Sequence, residues 1–197
     1  MLLGLVLLYV GAVLVLNGIW LLGQARVATA GEAEGAARSA EAHPFFIQNR
    51  EIIAINVFTG FAGVLAAITL AVQGNNAENL SAIRGASYIL LFAFTYLWVA
   101  YNNIVNAGGR AFGWYCLFVA ITAIPAGIYT LVDANGNGAS VYLAIDWFAW
   151  ALLWLMFFLL LALDRPIARA TGLLAILEGI GTAWVFAILI LQGELAF

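Results

Sequence analysis

Apolar residues run through this chain in six long blocks, at residues 2–23, 52–72, 86–105, 112–132, 143–163 and 173–192. Each block is bounded by Gly, Asn, Pro or charge. The third follows Arg84-Gly85 and stops at Asn106-Ala107-Gly108-Gly109, the fifth runs into Asp164-Arg165-Pro166, and the sixth ends at Gln192-Gly193. A hydrocarbon core ~30 Å thick takes ~20 apolar residues in helical form, so every block is long enough to cross it. A membrane barrel would instead alternate over segments of ~10 residues, and these runs are too long and too continuous for that. The first block lacks a basic leader and exceeds the ~7–15 apolar residues of a signal peptide, so it reads as a retained helix. The pattern predicts an all-α integral membrane protein, a single domain over residues 1–197 with six transmembrane helices.

Composition agrees. Hydrophobic residues make up 65% of the chain and charged residues 9%, against about 25% charged in soluble domains. Disorder needs low hydrophobicity, and Cys116, the single cysteine, supports no disulfide framework. Basic charge comes from seven Arg and no Lys, scattered along the chain. They form no basic stripe, so a nucleic-acid partner is excluded. Their placement predicts orientation. The connections after spans one, three and five hold Arg26, Arg38, Arg50, Arg110, Arg165 and Arg169, while those after spans two and four hold only Arg84. Basic residues near span ends favour the cytoplasmic side, which puts both termini outside the cytoplasm. The connection over residues 24–51 is then a long cytoplasmic loop. It is rich in Ala and Glu, and Gly31 and Gly35 weaken any helical piece within it.

The polar inventory excludes most chemistry. His43 is the only histidine, no cysteine pair or glycine-rich phosphate loop exists, and none of the four serines has a histidine partner inside a span. No metal, cofactor or hydrolytic triad is expected. Glu178 stands several residues inside span six, in LLAILEGIGTAWVF. An acid at membrane depth is costly and faces the bundle or a wet cavity. It reads either as a pore-lining acceptor for a polar solute or as an interhelical hydrogen-bond anchor. Asp146 and Asp164, at the ends of span five, and Glu51, at the start of span two, read as interface residues. Trp147, Trp150 and Trp154 are spaced three and four apart, so they share one face of span five. Such a stripe is either packing and interfacial belt, or one wall of a narrow slot for a flat neutral solute. Gly4, Gly11 and Gly18 stand seven apart on one face of span one, a pattern that lets helix backbones approach closely in lipid. Asn17 and Asn56 read as helix-joining amides.

Segments in all six spans resemble the amide/urea channel (AmiS/UreI) family. They are MLLGLVLLYVGAVLVLNG at the N-terminus, INVFTG (55–60), LLFAFTYLWVAYN (90–102), GWYCLFVAITAIPA (113–126), WFAWALLW (147–154) and ILEGIGTAW (176–184). The resemblance implies a passive channel in the bacterial cytoplasmic membrane, conducting urea or short-chain amides toward a cytoplasmic amidase or urease. It implies a hexameric ring of six-helix protomers, each with its own pore, around a centre plugged by lipid. Carried over by residue, it places the pore Glu at Glu178, the aromatic slot at Trp147, Trp150 and Trp154, and further pore aromatics at Phe92, Phe94 and Tyr96. It places a constriction around Leu5, Val6 and Val13. The acid-gated members have histidine-bearing outer loops. The corresponding segments here, NNAENLSAIRG and DANGNGASVYLAID, have none, so the resemblance does not extend to proton gating. The alternative function is a proton-coupled small-solute transporter with Glu178 as its coupling site.

Overall fold

Six helices form where hydropathy predicts six spans. The computed structural model describes residues 2–30, 38–39 and 41–197. Its helices are α1 (Leu2–Ala30), α2 (Ile52–Asn76), α3 (Leu80–Val105), α4 (Arg110–Asp133), α5 (Gly138–Leu161) and α6 (Ala168–Leu191). The helical piece considered around Gly31 and Gly35 lies outside the described residues.

Helix limits reflect local chemistry more than hydropathy. α1 runs past its apolar block to Ala30, because the Gln-Ala-Arg-Val-Ala-Thr-Ala tail consists largely of good helix formers. The connection before α3 turns at Glu78, where φ is +51°. Asn79 then caps the helix by accepting the Ala82 N–H at 3.1 Å, which satisfies one of the orphan amides of the first turn. Asn137 caps α5 in the same way, accepting the Ser140 N–H at 2.9 Å. α3 ends on Asn106 in the left-handed conformation, with φ +55°, a role asparagine fills after glycine.

The helices associate as tight pairs, α2 with α3, α4 with α5, and α1 with α6. The last pair joins the two ends of the chain and closes the bundle. In lipid no hydrophobic drive separates one helix face from another, so close van der Waals approach has to hold helices together. The seven-residue glycine spacing of α1 supplies it. Gly18 lies so near α6 that a Cβ there would stand 2.6 Å from the Gly172 carbonyl oxygen and 2.6 Å from Ile176 Cγ1. Gly18→Val is therefore expected to lower the thermal stability of the detergent-solubilised protein, by about 1–3 kcal/mol from overpacking alone. An unchanged melting temperature would show that α1 and α6 are free to separate.

One section of α6 departs from the regular helix. Gly179–Val185 forms a π-helical turn. Side chains take carbonyls that the α-helical ladder would use: the Tyr142 hydroxyl donates to the Gly181 oxygen at 2.6 Å, and Thr182 Oγ1 donates to the Glu178 oxygen at 2.7 Å. Such turns are rare and occur frequently at functional sites. Large apolar side chains face outward elsewhere, including Phe58, Phe61, Leu65 and Ile68 on α2 and Phe118, Ile121 and Ile128 on α4, as a lipid environment allows.

A candidate solute passage

Three cavities lie in file through the bundle and share walls. The first, about 550 Å³, begins near Leu2, Ser81 and Arg84 on the face that carries the termini. It narrows between Val6 and Val10 of α1, Tyr88 and Phe92 of α3, and Trp147 and Trp150 of α5. The second measures only about 40 Å³ and is lined by Leu14, Asn17, Thr95, Tyr96, Trp154 and Phe157, with Phe92 and Trp150 again among its walls. The third, about 250 Å³, shares Val99, Phe112 and Phe157 with the second. It reaches the opposite face past Trp20, Asn102 and Asn103. Since one water needs roughly 10–15 Å³, the middle section holds only a small solute or a few waters.

Aromatic rings make this constriction. Phe92 lies against the tryptophan stripe of α5, its ring centre 5.5 Å from Trp147, 4.8 Å from Trp150 and 4.6 Å from Trp154. The Phe92–Trp150 contact is edge-to-face at 83°, a favoured geometry because the positive ring edge meets the negative face. Trp150 is held further by its indole N–H, which donates to Thr182 Oγ1 at 2.8 Å. That donor is spent within the protein. The indoles of Trp147 and Trp154 and the phenol of Tyr96 make no hydrogen bond among the described residues, so they are the donors left to a solute.

Two buried acids lie behind this wall. Glu178 is 5% exposed and Asp146 only 1%. Both carboxyl oxygens of Glu178 and Oδ2 of Asp146 have no hydrogen-bond partner. Arg84 pairs instead with Asp133 at 3.2 Å and Arg110 with Asp164 at 3.0 Å, both at exposed sites.

The expected site residues therefore separate. Phe92, Tyr96, Trp147, Trp150, Trp154 and Val6 border the first two cavities. Glu178 borders none of the three. Val13 is fully buried but also lines none of them. Leu5 and Phe94 are 43% and 46% exposed and line none of the three cavities. Each helical residue turns the side chain by about 100°, so Leu5 turns away from Val6, and Phe94, two positions on, faces away from Phe92. Asp146 corrects the reading of an interface residue. Hydropathy starts the fifth span at 143, but α5 begins at Gly138. Asp146 thus lies roughly 12 Å along the helix at 1.5 Å per residue, and Glu178 is not the only acid at depth. Asn17, Thr95, Phe157 and Thr182 join the passage or its support without having been singled out for it. Thr182 could have been found one turn beyond Glu178.

Six helices long and apolar enough to cross a membrane, packed around a file of cavities, define a multi-pass membrane protein of the transport class. The chain belongs to the AmiS/UreI family of transporters, whose profile matches residues 45–194, and it is a protein of the bacterial inner membrane. It is 36% identical to the acid-activated urea channel of Helicobacter pylori, over 93% of this chain and 94% of that one. It is 35% identical to a Mycolicibacterium smegmatis protein named as a candidate transporter of amidate substrates, over 97% of this chain and 77% of that one. The crystal structure of the urea channel from Helicobacter pylori superimposes with a TM-score of 0.78 at 32% identity, covering 100% of both chains. The same channel's closed state, seen by electron cryomicroscopy, gives 0.77.

Proposed function

We propose that this chain is a passive channel carrying urea or small aliphatic amides into the cytoplasm, where an amidase or urease consumes them. The observation that carries the reading is the constriction at Phe92, Trp150 and Trp154 between two wider cavities. Flat rings accept a planar solute from both sides, and the free indole and phenol donors replace part of its water. A neutral amide gives up far less hydration than an ion in such a slot, and conduction also requires that it not be held too tightly. The arginine bias supports termini outside the cytoplasm, so the larger cavity faces outward. The apolar outer surfaces of α2 and α4 support a homo-oligomeric ring, read as six protomers about a lipid-filled centre. The test is a shrink–swell assay in proteoliposomes. Urea and acetamide should pass, while glycerol and sodium should not. Equal passage of glycerol would overturn the reading.

A second reading, a proton-coupled small-solute transporter, draws on Glu178 and Asp146 as buried acids without counter-charge. The two differ in one measurement: a channel equilibrates urea under an imposed pH gradient, and a coupled transporter accumulates it.

As a channel, the protein is expected to conduct with little change between about pH 5 and 7.5. Histidine is the side chain that ordinarily changes charge there, and His43 lies on the loop assigned to the cytoplasmic side. Flux in proteoliposomes across this range is the check. A steep rise on acidification that survives His43→Ala would place a gate at the buried carboxyls.

A further inference from the structure

A fourth cavity, of about 260 Å³, lies at the far end of α1 from the N-terminus and shares no wall with the passage. Its apolar walls are Ile19 and Leu22 of α1, Ile176 of α6, and Phe45 and Phe46 of the connection before α2. Arg26 and His43 complete it. The connection is fastened there at three points. Gly23 lets it close in, since a Cβ at that position would stand 3.3 Å from Phe46 Cδ2 and 3.4 Å from Phe46 Cα. Gln24 Nε2 donates to the Ile47 carbonyl at 3.1 Å, and the Trp20 indole donates to Asn49 Oδ1 at 3.0 Å. His43 Nδ1 accepts the Phe45 N–H at 3.2 Å, so the imidazole proton is on Nε2 and is free to be donated. Among the described residues Arg26 has no acidic partner. A second cation is held beside it: Arg169 donates to Thr29 Oγ1 at 2.9 Å, and that hydroxyl donates to the Arg26 carbonyl at 3.0 Å. The described acids at this end are placed elsewhere. Asp164 pairs with Arg110, Glu51 accepts the Gln48 N–H at 2.7 Å, and Glu41 lines a separate polar cavity with Arg50.

We propose that this cavity binds the headgroup of one anionic phospholipid per protomer, with Arg26 and the His43 Nε2–H on the phosphodiester and the acyl chains lying over Ile19, Leu22 and Ile176. The guanidinium fork of arginine matches phosphate oxygens two at a time. Arg26 stands three residues beyond the apolar block that ends at residue 23, at the level where headgroups meet hydrocarbon. Basic pockets between transmembrane helices at that level suit anionic headgroups. At about 30 Å³ per water, the cavity has the volume of roughly nine waters, room for a glycerophosphate but not for its chains. The chains have a surface to follow, because Leu173 and Leu177 of α6 are exposed and extend the apolar face on either side of Ile176. Phe45, 67% exposed, offers an aromatic ring at the interface, where such rings favour headgroup depth. A free phosphate would gain nothing from these apolar walls. A zwitterionic headgroup would bring its own cation against Arg26 and Arg169, so a net negative one is preferred. The site is independent of the solute the protein carries, since none of its residues borders the passage.

The test titrates delipidated, assembled protein in detergent with phosphatidylglycerol or with phosphatidylcholine of the same chains, and counts bound lipid by native mass spectrometry. Phosphatidylglycerol should saturate at one per protomer and bind about ten times more tightly than phosphatidylcholine, the factor of one hydrogen bond to a charged group. Arg26→Gln should cut that preference about ten-fold. Arg50→Gln removes the same charge from the polar cavity on the other side of the connection and should leave the preference within about two-fold. Equal losses in the two variants would show attraction by charge alone and overturn the proposal. Glycerol 3-phosphate is the soluble arm. If it displaces phosphatidylglycerol at equal concentration, the cavity is an anion pocket in which the chains have no part, and the lipid assignment fails. A smaller assembly in Arg26→Gln with native lipid binding would assign the cavity to a contact between copies instead. Should Arg26→Gln not assemble at all, His43→Ala carries the comparison from the other side of the headgroup. Its affinity for phosphatidylglycerol should fall about five-fold, the factor of one ordinary hydrogen bond, and a native affinity would overturn the site.

Discussion

Trp150→Ala is expected to admit glycerol at about ten times the native rate, the effect of roughly 1.4 kcal/mol off the barrier. Trp150 walls both the wide first cavity and the narrow second one, so removing its ring joins them. Phe92 loses its edge-to-face partner at 4.8 Å and is free to move into the gap. A wider slot holds water around a solute, and retained water removes the penalty that excludes a triol. The amide flux should rise less than the glycerol flux, because amides already cross the native slot. Truncating a buried tryptophan costs about 3–5 kcal/mol of stability, so the comparison uses reconstituted protein of verified assembly. Thr182→Val separates ring position from ring presence. It keeps the shape of the threonine but removes the acceptor of the Trp150 N–H, 2.8 Å away, and should loosen selectivity less than the alanine variant. An amide-over-glycerol ratio that stays native in both variants would show that the aromatic constriction does not select.

The sequence carried some faces of these helices plainly and hid others, for one physical reason. In a soluble helix, polar residues mark the solvent side. Here the inside of the bundle and the lipid are both apolar, so a helix can be hydrophobic all round. Leu5 and Val6 are alike in hydropathy, yet one faces outward and the other borders the passage. Phe92 and Phe94 differ in the same way. Faces were legible where something other than hydrophobicity marked them. The glycines of α1 form one close-packed face, as their spacing implied, and the structure sets α6 against it. The tryptophans of α5 share one face because three- and four-residue steps leave them no other arrangement, and the structure buries that face. The π-helical turn was not legible, because it depends on the Tyr142 hydroxyl arriving from α5 to take the Gly181 carbonyl. Asp146 was misplaced because hydropathy dates the start of a span by its apolar residues, whereas α5 starts on its Asn137 cap, at Gly138.

Glu178→Leu is expected to make the protein more stable and a poorer channel at once. Both carboxyl oxygens of Glu178 are buried without a hydrogen-bond partner. Leaving a buried polar group unsatisfied costs about 1–3 kcal/mol, and an apolar side chain of similar volume removes that cost. The melting temperature of the solubilised protein should therefore rise. The backbone carbonyl of Glu178, which the substitution keeps, accepts from Thr182 Oγ1, the acceptor of the Trp150 N–H. Without the carboxyl behind the aromatic wall, urea flux should fall about ten-fold, or about 1.4 kcal/mol in barrier terms. Glu178→Gln keeps the polarity and adds N–H donors. It should conduct better than the leucine variant and worse than the native channel. An interhelical anchor would behave in the opposite sense, because an anchor that is removed lowers stability. A leucine variant with a lower melting temperature and native flux would identify Glu178 as packing. A higher melting temperature with reduced flux would identify a group whose burial is maintained for transport at the expense of the fold.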